Sequence, residues 1–583
     1  MAVPEPEPPP RVERPRPRDI SEEQLGFRPQ RAVHWLAPSV LISTGAQSLM
    51  AGIFGSYSDK RELQGTLPAT VHEHATGDEL WLDFVADLGD GFDATYSVAS
   101  LLAAAELRPE GVTEPLPRGK ILVMGGDEVY PAASTVNYED RSKGVYRAAL
   151  PVVPPQRPTL FALPGNHDWY DGLTSFLRVF TQRRDFGGWA TEQTRSYFAV
   201  SLPHRWWLYA IDTQFDDYVD APQLQYFRDA AENLRQGDAV ILCTSTPAWV
   251  PAGSGGKTKG YDTIEFFLRE VIRPHGATVP LMLTGDKHHY TRYVERDGAA
   301  QAITCGLGGA YLIGTHEVPG DLALPPAKSR VRGRGPVERR RFDLVAQYPS
   351  VRTSRWLAAG IFRLPWRNPG FWGLTGFMQT VMALAVLFGL AESANPARQG
   401  VFGQLGAWAP GMLVAAVLVL AGMAFARIDE PKTGQTNAVA GVAHAVAHLA
   451  LSFGWALVVR WLYRDVLPGG LAADWLIVAI VVVVTPVVIG FVDTEVVALY
   501  LLIASRHGIN SNEVFAGQSI EDHKGFLRLR IDTDGLTVYP IAVPKVCRQW
   551  RPNPDGAPTD PWLLPAQELR PTLIEEPFRI PHP

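Results

Sequence analysis

Residues 120–130, KILVMGGDEVY, decide how this 583-residue chain is read. An apolar run at 120–124 breaks abruptly into Gly125-Gly126-Asp127-Glu128-Val129-Tyr130, so a buried strand is expected to end in a turn that carries a carboxylate and a phenol. The same punctuation recurs on both sides. Asp87-Leu88-Gly89 follows the run at 80–86, Gly165-Asn166-His167-Asp168 follows 159–163, and Gly285-Asp286-Lys287-His288-His289 follows 279–283. Further strands are expected at 206–211, 239–243 and 301–304. Near-continuous apolar runs of this length fit strands covered on both faces. Four polar clusters at four strand ends predict a layered α/β or α+β domain whose chemistry gathers along one sheet edge.

Carboxylate, amide, phenol and imidazole groups brought together in this way are the donors that hold metal ions against a phosphate. The motif order resembles that of the calcineurin-like metallophosphoesterases over about residues 80–316. Asp87 with Gly89, and Asp127 with Tyr130, resemble the D-x-G and G-D-x-x-Y forms of the purple acid phosphatases within that superfamily. The resemblance implies a four-layer sandwich of mixed β-sheets flanked by helices. It also implies two divalent or trivalent ions drawn from Mn, Fe, Mg and Zn. By the same resemblance, Asp87, Asp127, Tyr130 and His288 would hold the first ion, and Asp127 would bridge to a second held by Asn166 and Asp286. His167 would act beside the scissile group as proton donor or transition-state stabiliser, oriented by Asp168.

Two positions depart from the family pattern. Ser245 stands where a lone histidine is expected, and Asp286 replaces the first histidine of G-H-x-H. Both changes make the second donor set richer in oxygen and shift its preference toward harder ions. His289, Asp90, Asp93 and His316 are neighbours left outside the assigned set.

The rest of the chain differs in composition. Residues 1–30 are Pro-rich and expected to be disordered, and 31–79 form a helical extension. Within that extension the uncharged stretch 36–57 is read as an amphipathic surface helix in preference to a span. The phosphoesterase-like domain is bounded at 80–325. A basic connector at 326–370, with Lys328, Arg330, Arg332, Arg334, Arg339, Arg340 and Arg341 among its cations, leads into apolar runs at 371–390, 408–426, 439–462 and 475–491. Four spans at 371–505 are expected, with 496–505 either a helix extension or half of a fifth passage.

The basic flank places the connector, and with it the catalytic domain and C-terminus, on the cytoplasmic side of a multi-pass membrane protein. A net charge of −6 gives no ground for a nucleic-acid partner, and three scattered cysteines fit a reducing compartment. His444 and His448 share one face of the third span, as a polar interhelical contact with Asp493 or Glu495 or as a metal site. Residues 506–550 are expected to hold a β-hairpin around Thr533-Asp534-Gly535 that docks on the catalytic domain, and 551–583 to form a Pro-rich extended or disordered tail. The function expected is hydrolysis of a phosphomonoester or phosphodiester, with a lipid-linked phosphate among the candidates. The alternative is a membrane sensor or scaffold that uses the fold for binding alone.

Overall fold

The computed structural model describes residues 25–54, 60–213, 217–331, 338–398, 400–427, 434–467 and 469–582. Residues 1–24 of the expected tail, and Arg332 and Arg334 of the connector, lie outside the described residues.

Each expected strand forms. Leu80–Val85, Ile121–Met124 and Thr159–Ala162 run parallel, pairing Leu82 with Ile121 and Ile121 with Thr159. Trp206–Ile211, Ala239–Thr244, Thr278–Thr284 and Gln301–Cys305 make a second parallel set. Each set sits at the centre of a nine-stranded mixed sheet. Leu82, Phe84, Val123 and Phe161 of the first sheet share one buried cluster with Leu208, Ile241, Leu283 and Ile303 of the second. The opposite faces are covered by helices. Val85, Leu122 and Met124 pack on Tyr96, Ala99 and Leu102 of helix Phe92–Ala103, and Tyr209, Leu242 and Met282 pack on Phe227, Ile264 and Phe267. Burial on both faces explains why these strands read as unbroken apolar runs.

The chain after the membrane region returns to complete the first sheet. Lys524–Asp532 and Gly535–Val543 form the expected hairpin, and the first of them pairs antiparallel with Leu80–Val85, Leu527 opposite Phe84. Arg528 closes the joint by donating Nε to Asp83 Oδ1 at 2.7 Å and Nη2 to Oδ2 at 3.0 Å. Thr572–Leu573 and Phe578–Ile580 of the Pro-rich tail are extended and pair with Gly535–Val543. Within 326–370, Arg340–Tyr348 is a strand of the second sheet and Val351–Ala359 a helix, so part of the basic stretch is woven into the domain.

Four helices are long and apolar enough to cross a membrane: Pro369–Glu392, Val401–Phe425, Gln435–Val466 and Asp474–Ser505. The last is continuous over 32 residues, ~48 Å at 1.5 Å per residue against a hydrocarbon core of ~30 Å. Residues 496–505 therefore extend the fourth helix. Val497, Ala498 and Leu501 there join a cluster with Ile361, Leu364 and Phe515 of the soluble part.

His448 places Nδ1 2.5 Å from Asp493 Oδ1 and Nε2 2.9 Å from His444 Nε2. Gln379 donates to the same Asp493 oxygen at 2.7 Å and accepts from Ser452 at 2.5 Å. The histidine pair is thus part of an interhelical polar network, with Asp493 as its carboxylate.

Candidate functional site

Asp87, Asp127 and Asp286 each lie just past a central strand, and all three adopt left-handed backbone, with φ of 59°, 54° and 67°. Aspartate tolerates that region better than most residues, and its use here turns the chain sharply so that the carboxylates point back across the strand ends. The opposing chains close in on them. A Cβ at Gly165 would overlap the Asp127 carboxylate, and one at Gly306 would overlap that of Asp87.

The Tyr130 hydroxyl sits where the first donor set meets. It donates to Asp87 Oδ1 at 2.9 Å and lies 3.2 Å from Asp127 Oδ2 and 3.0 Å from His288 Nε2. His288 Nδ1 is 2.7 Å from the Tyr311 carbonyl, which fixes the proton on Nδ1 and turns Nε2 to the cluster as a lone pair. All four side chains are buried, and Asp87 Oδ2 is enclosed without a hydrogen-bond partner.

Burial, followed by the charges of neighbouring carboxylates, holds the Asp87 and Asp127 carboxyls well above the usual range. Burial also pushes the His288 imidazole well below its ordinary value. Crowded, desolvated carboxylates facing an unprotonated imidazole are a donor set that suits a cation. Among the described residues, no three or more His, Cys, Asp or Glu side chains are grouped as a metal-holding set. Asp87, Asp127 and His288 by themselves do not make such a set, and what they share is contact with the Tyr130 hydroxyl.

The second set is more open. Asn166 donates Nδ2 to Tyr170 Oη at 3.1 Å. Asp286 is half-buried and lies 3.1 Å from Lys287 Nζ, while its charge raises the carboxyls of Asp87 and Asp127. Ser245 is buried beside Gly126.

His167 is placed by two contacts. Its backbone N–H donates to Asp127 Oδ1 at 2.9 Å, and its Nδ1 lies 2.7 Å from the Pro131 carbonyl. Burial lowers its pKa to about 4. The ring is therefore neutral near pH 7, with Nε2 as its acceptor. The expectation that Asp168 orients His167 is corrected here. The Asp168 carboxylate accepts from Gly165 N–H at 2.8 Å, Glu128 N–H at 3.3 Å and the Tyr138 hydroxyl. Burial first, and then the Asp168 charge, pushes the neighbouring Glu128 carboxyl well up. Asp168 thus holds the turn together, and the Pro131 carbonyl holds the ring.

Of the neighbours, Asp90 accepts from Val33 N–H and Trp35 Nε1–H, Asp93 accepts from Trp550 Nε1–H, and His316 pairs with Ser354 Oγ. One residue that the motifs do not reveal is Trp35. Its ring centre lies 5.7 Å from Tyr130, 5.5 Å from His167 and 5.4 Å from Tyr311, forming a wall of the site. It comes from the N-terminal extension, and no local signal beyond its being an aromatic residue marks it.

No family model matches the chain, and no curated protein matches it. Among solved structures, one described as GAP50, the anchor in the inner membrane complex of Plasmodium, is similar over 40% of this chain and 74% of its own, at 14% identity and a TM-score of 0.29. That score is too low to support a shared fold.

Proposed function

We propose that the chain is a membrane-anchored, metal-dependent phosphoesterase. The observation that carries this reading is the meeting of Asp87, Asp127 and His288 on the Tyr130 hydroxyl at the ends of parallel strands. The order helices, sheet, sheet, helices is consistent with the four-layer metallophosphoesterase sandwich. Asp87, Asp127, Tyr130 and His288 would hold one ion, and Asn166 and Asp286 with Asp127 a second. Such ions, when bound, neutralise phosphate charge and lower the pKa of water.

The chain's own residues supply the rest. The Asp127 carboxylate fixes the His167 main chain, the Pro131 carbonyl fixes its ring, and His167 Nε2 is thereby presented as an acceptor beside the donor set. Trp35 covers the Tyr130 and His167 rings and keeps water from that side. The basic flank at 326–370 favours a cytoplasmic position for the soluble part.

Elemental analysis of detergent-purified protein, with turnover of an aryl phosphate and a bis-aryl phosphate after adding Mn, Fe, Mg or Zn to the stripped form, tests the reading. Metal-dependent turnover that is abolished by Asp127→Ala and by Asn166→Ala, with both variants folded, is the expected result. The Asp286–Lys287 pair favours a second reading, a sensor or scaffold in which only the first set is loaded. One tightly held ion and no turnover with any metal is the result expected of that protein.

A further inference from the structure

The walls of the site run directly into the membrane-side elements. Trp35 is three residues from Pro38, a reach of at most ~11 Å, and a Cβ at Gly370 in the first turn of the first span would lie 3.3 Å from Pro38 Cδ. His34 Nδ1 lies 2.7 Å from the Arg367 carbonyl beside it. On the other wall Tyr311, whose carbonyl holds His288, donates its hydroxyl to Asn512 Oδ1 at 2.7 Å, just past the end of the fourth span.

Between Trp35 and Lys60 runs the helix Pro38–Phe54, which carries no charged residue. Ile42 is 73% and Leu41 40% exposed on it. Both of its ends are tied to the same catalytic turn. At the start Trp35 packs on His167, and past the end the Lys60 ammonium pairs with the Thr174 hydroxyl while Arg61 lies 5.2 Å over the Trp169 ring. His167 and Trp169 both belong to the turn Asn166–Trp169. The chain has six peptide steps from Phe54 to Lys60, at most ~22 Å of reach, less than a ~30 Å hydrocarbon core. The helix therefore stays on the face of the bilayer that carries the soluble part. The helix begins against the first turn of the first apolar span and turns Leu41 and Ile42 away from the protein, which puts aliphatic side chains level with the start of that span.

We infer that Pro38–Phe54 lies in the bilayer surface and that the substrate is a phosphoester whose other substituent is a membrane lipid, admitted beside this helix with Trp35 as a positioning residue. This rests on the phosphoesterase reading above. A headgroup entering here crosses from the interface to the Tyr130 cluster past a single aromatic wall, whereas a water-borne ester gains nothing from the helix.

The test uses the full chain in phosphatidylcholine vesicles, loaded with whichever metal supports turnover. Phosphatidic acid and phosphatidylglycerol in the vesicles are compared with water-soluble glycerol phosphate and glycerophosphoglycerol. Lipid esters are expected to turn over faster, and the double variant Leu41→Asp/Ile42→Asp is expected to lower the ratio of lipid to soluble turnover by about tenfold. Trp35→Ala is expected to raise KM for the lipid ester more than it lowers kcat, and Trp35→Phe to restore it.

Soluble esters cleaved while lipid esters are spared, or a ratio that the double variant leaves unmoved, overturns this inference and leaves the phosphoesterase reading standing. No turnover of either class with any metal overturns both. A fluorophore on Ile42→Cys gives a readout independent of activity. Quenching by doxyl-labelled lipid is expected, and quenching only by aqueous iodide overturns the placement.

Discussion

A single hydroxyl joins three residues that come from different ends of the domain. Tyr130→Phe removes it while the ring keeps its packing against Trp35 and His167. The expected loss is on the order of 10–100-fold in metal affinity, read by calorimetric titration. Unchanged affinity would strike Tyr130 from the donor set. Asp168 makes the contrasting case. Asp168→Ala strands Gly165 N–H, Glu128 N–H and the Tyr138 hydroxyl, an expected cost of about 3 kcal/mol in thermal unfolding. Glu128→Gln keeps an acceptor for Gly126 N–H and is expected to cost about 1 kcal/mol or less.

At this scale Asp87, Asp127, His167 and His288 were legible because each follows a strand within a few residues. The orienting groups were not, because two of them are main-chain carbonyls, of Pro131 and Tyr311. Any residue type supplies a carbonyl, so no side chain marks its position. Trp35 is not marked by the sequence, because the rings it packs on, Tyr130, His167 and Tyr311, are far away along the chain.

The elements carry two buried charge arrangements with separate tasks. Arg528 and Asp83 are both fully enclosed and join the returning hairpin to the first central strand. Asp83→Ala leaves the guanidinium buried without its carboxylate, an expected loss of about 3–5 kcal/mol in denaturant titration. Within the spans, Asp493→Leu removes the acceptor shared by His448 and Gln379. The expected effect is a loss of about 1–2 kcal/mol in detergent unfolding. Central strands were readable because both faces are buried. Arg340–Tyr348 was not, since its half-exposed pattern of Arg, Asp and Gln reads as a charged connector until it is paired with Tyr290–Glu295. The tail strands Thr572–Leu573 and Phe578–Ile580 are too short to stand out among prolines.

Across the whole molecule, the buried acids make stability depend on pH, and a cation bound among them would change that dependence. Asp87, Asp127 and Glu128 have carboxyls raised by burial first and by neighbouring carboxylates second. The folded, metal-free chain therefore keeps protons that the unfolded chain releases near pH ~4. Their contribution to stability is complete below that pH and is lost as the pH rises. A bound cation removes the loss, so the gap in melting temperature between loaded and chelated protein is expected to widen from about pH 4 to 7. A flat gap would show that no cation sits among these groups. His72, lowered by burial to about 4, has the opposite sign and loses stability as pH falls from ~6.5 in both forms.

The pairing of the hairpin with Leu80–Val85 has a consequence for biosynthesis. Asp83 and Arg528 are 445 positions apart, and all four spans are made between them. Until residues 524–532 have been made, Leu80–Val85 is an open sheet edge and Asp83 lacks its guanidinium partner. If the four apolar helices cross a bilayer, the hairpin must meet that edge on its own side, and only an even number of crossings lets the sheet close. A copy that inserts wrongly keeps its first strand open to proteases and to other open edges. For a chain whose four apolar helices cross a bilayer, completion of the sheet would thereby report on how they were inserted.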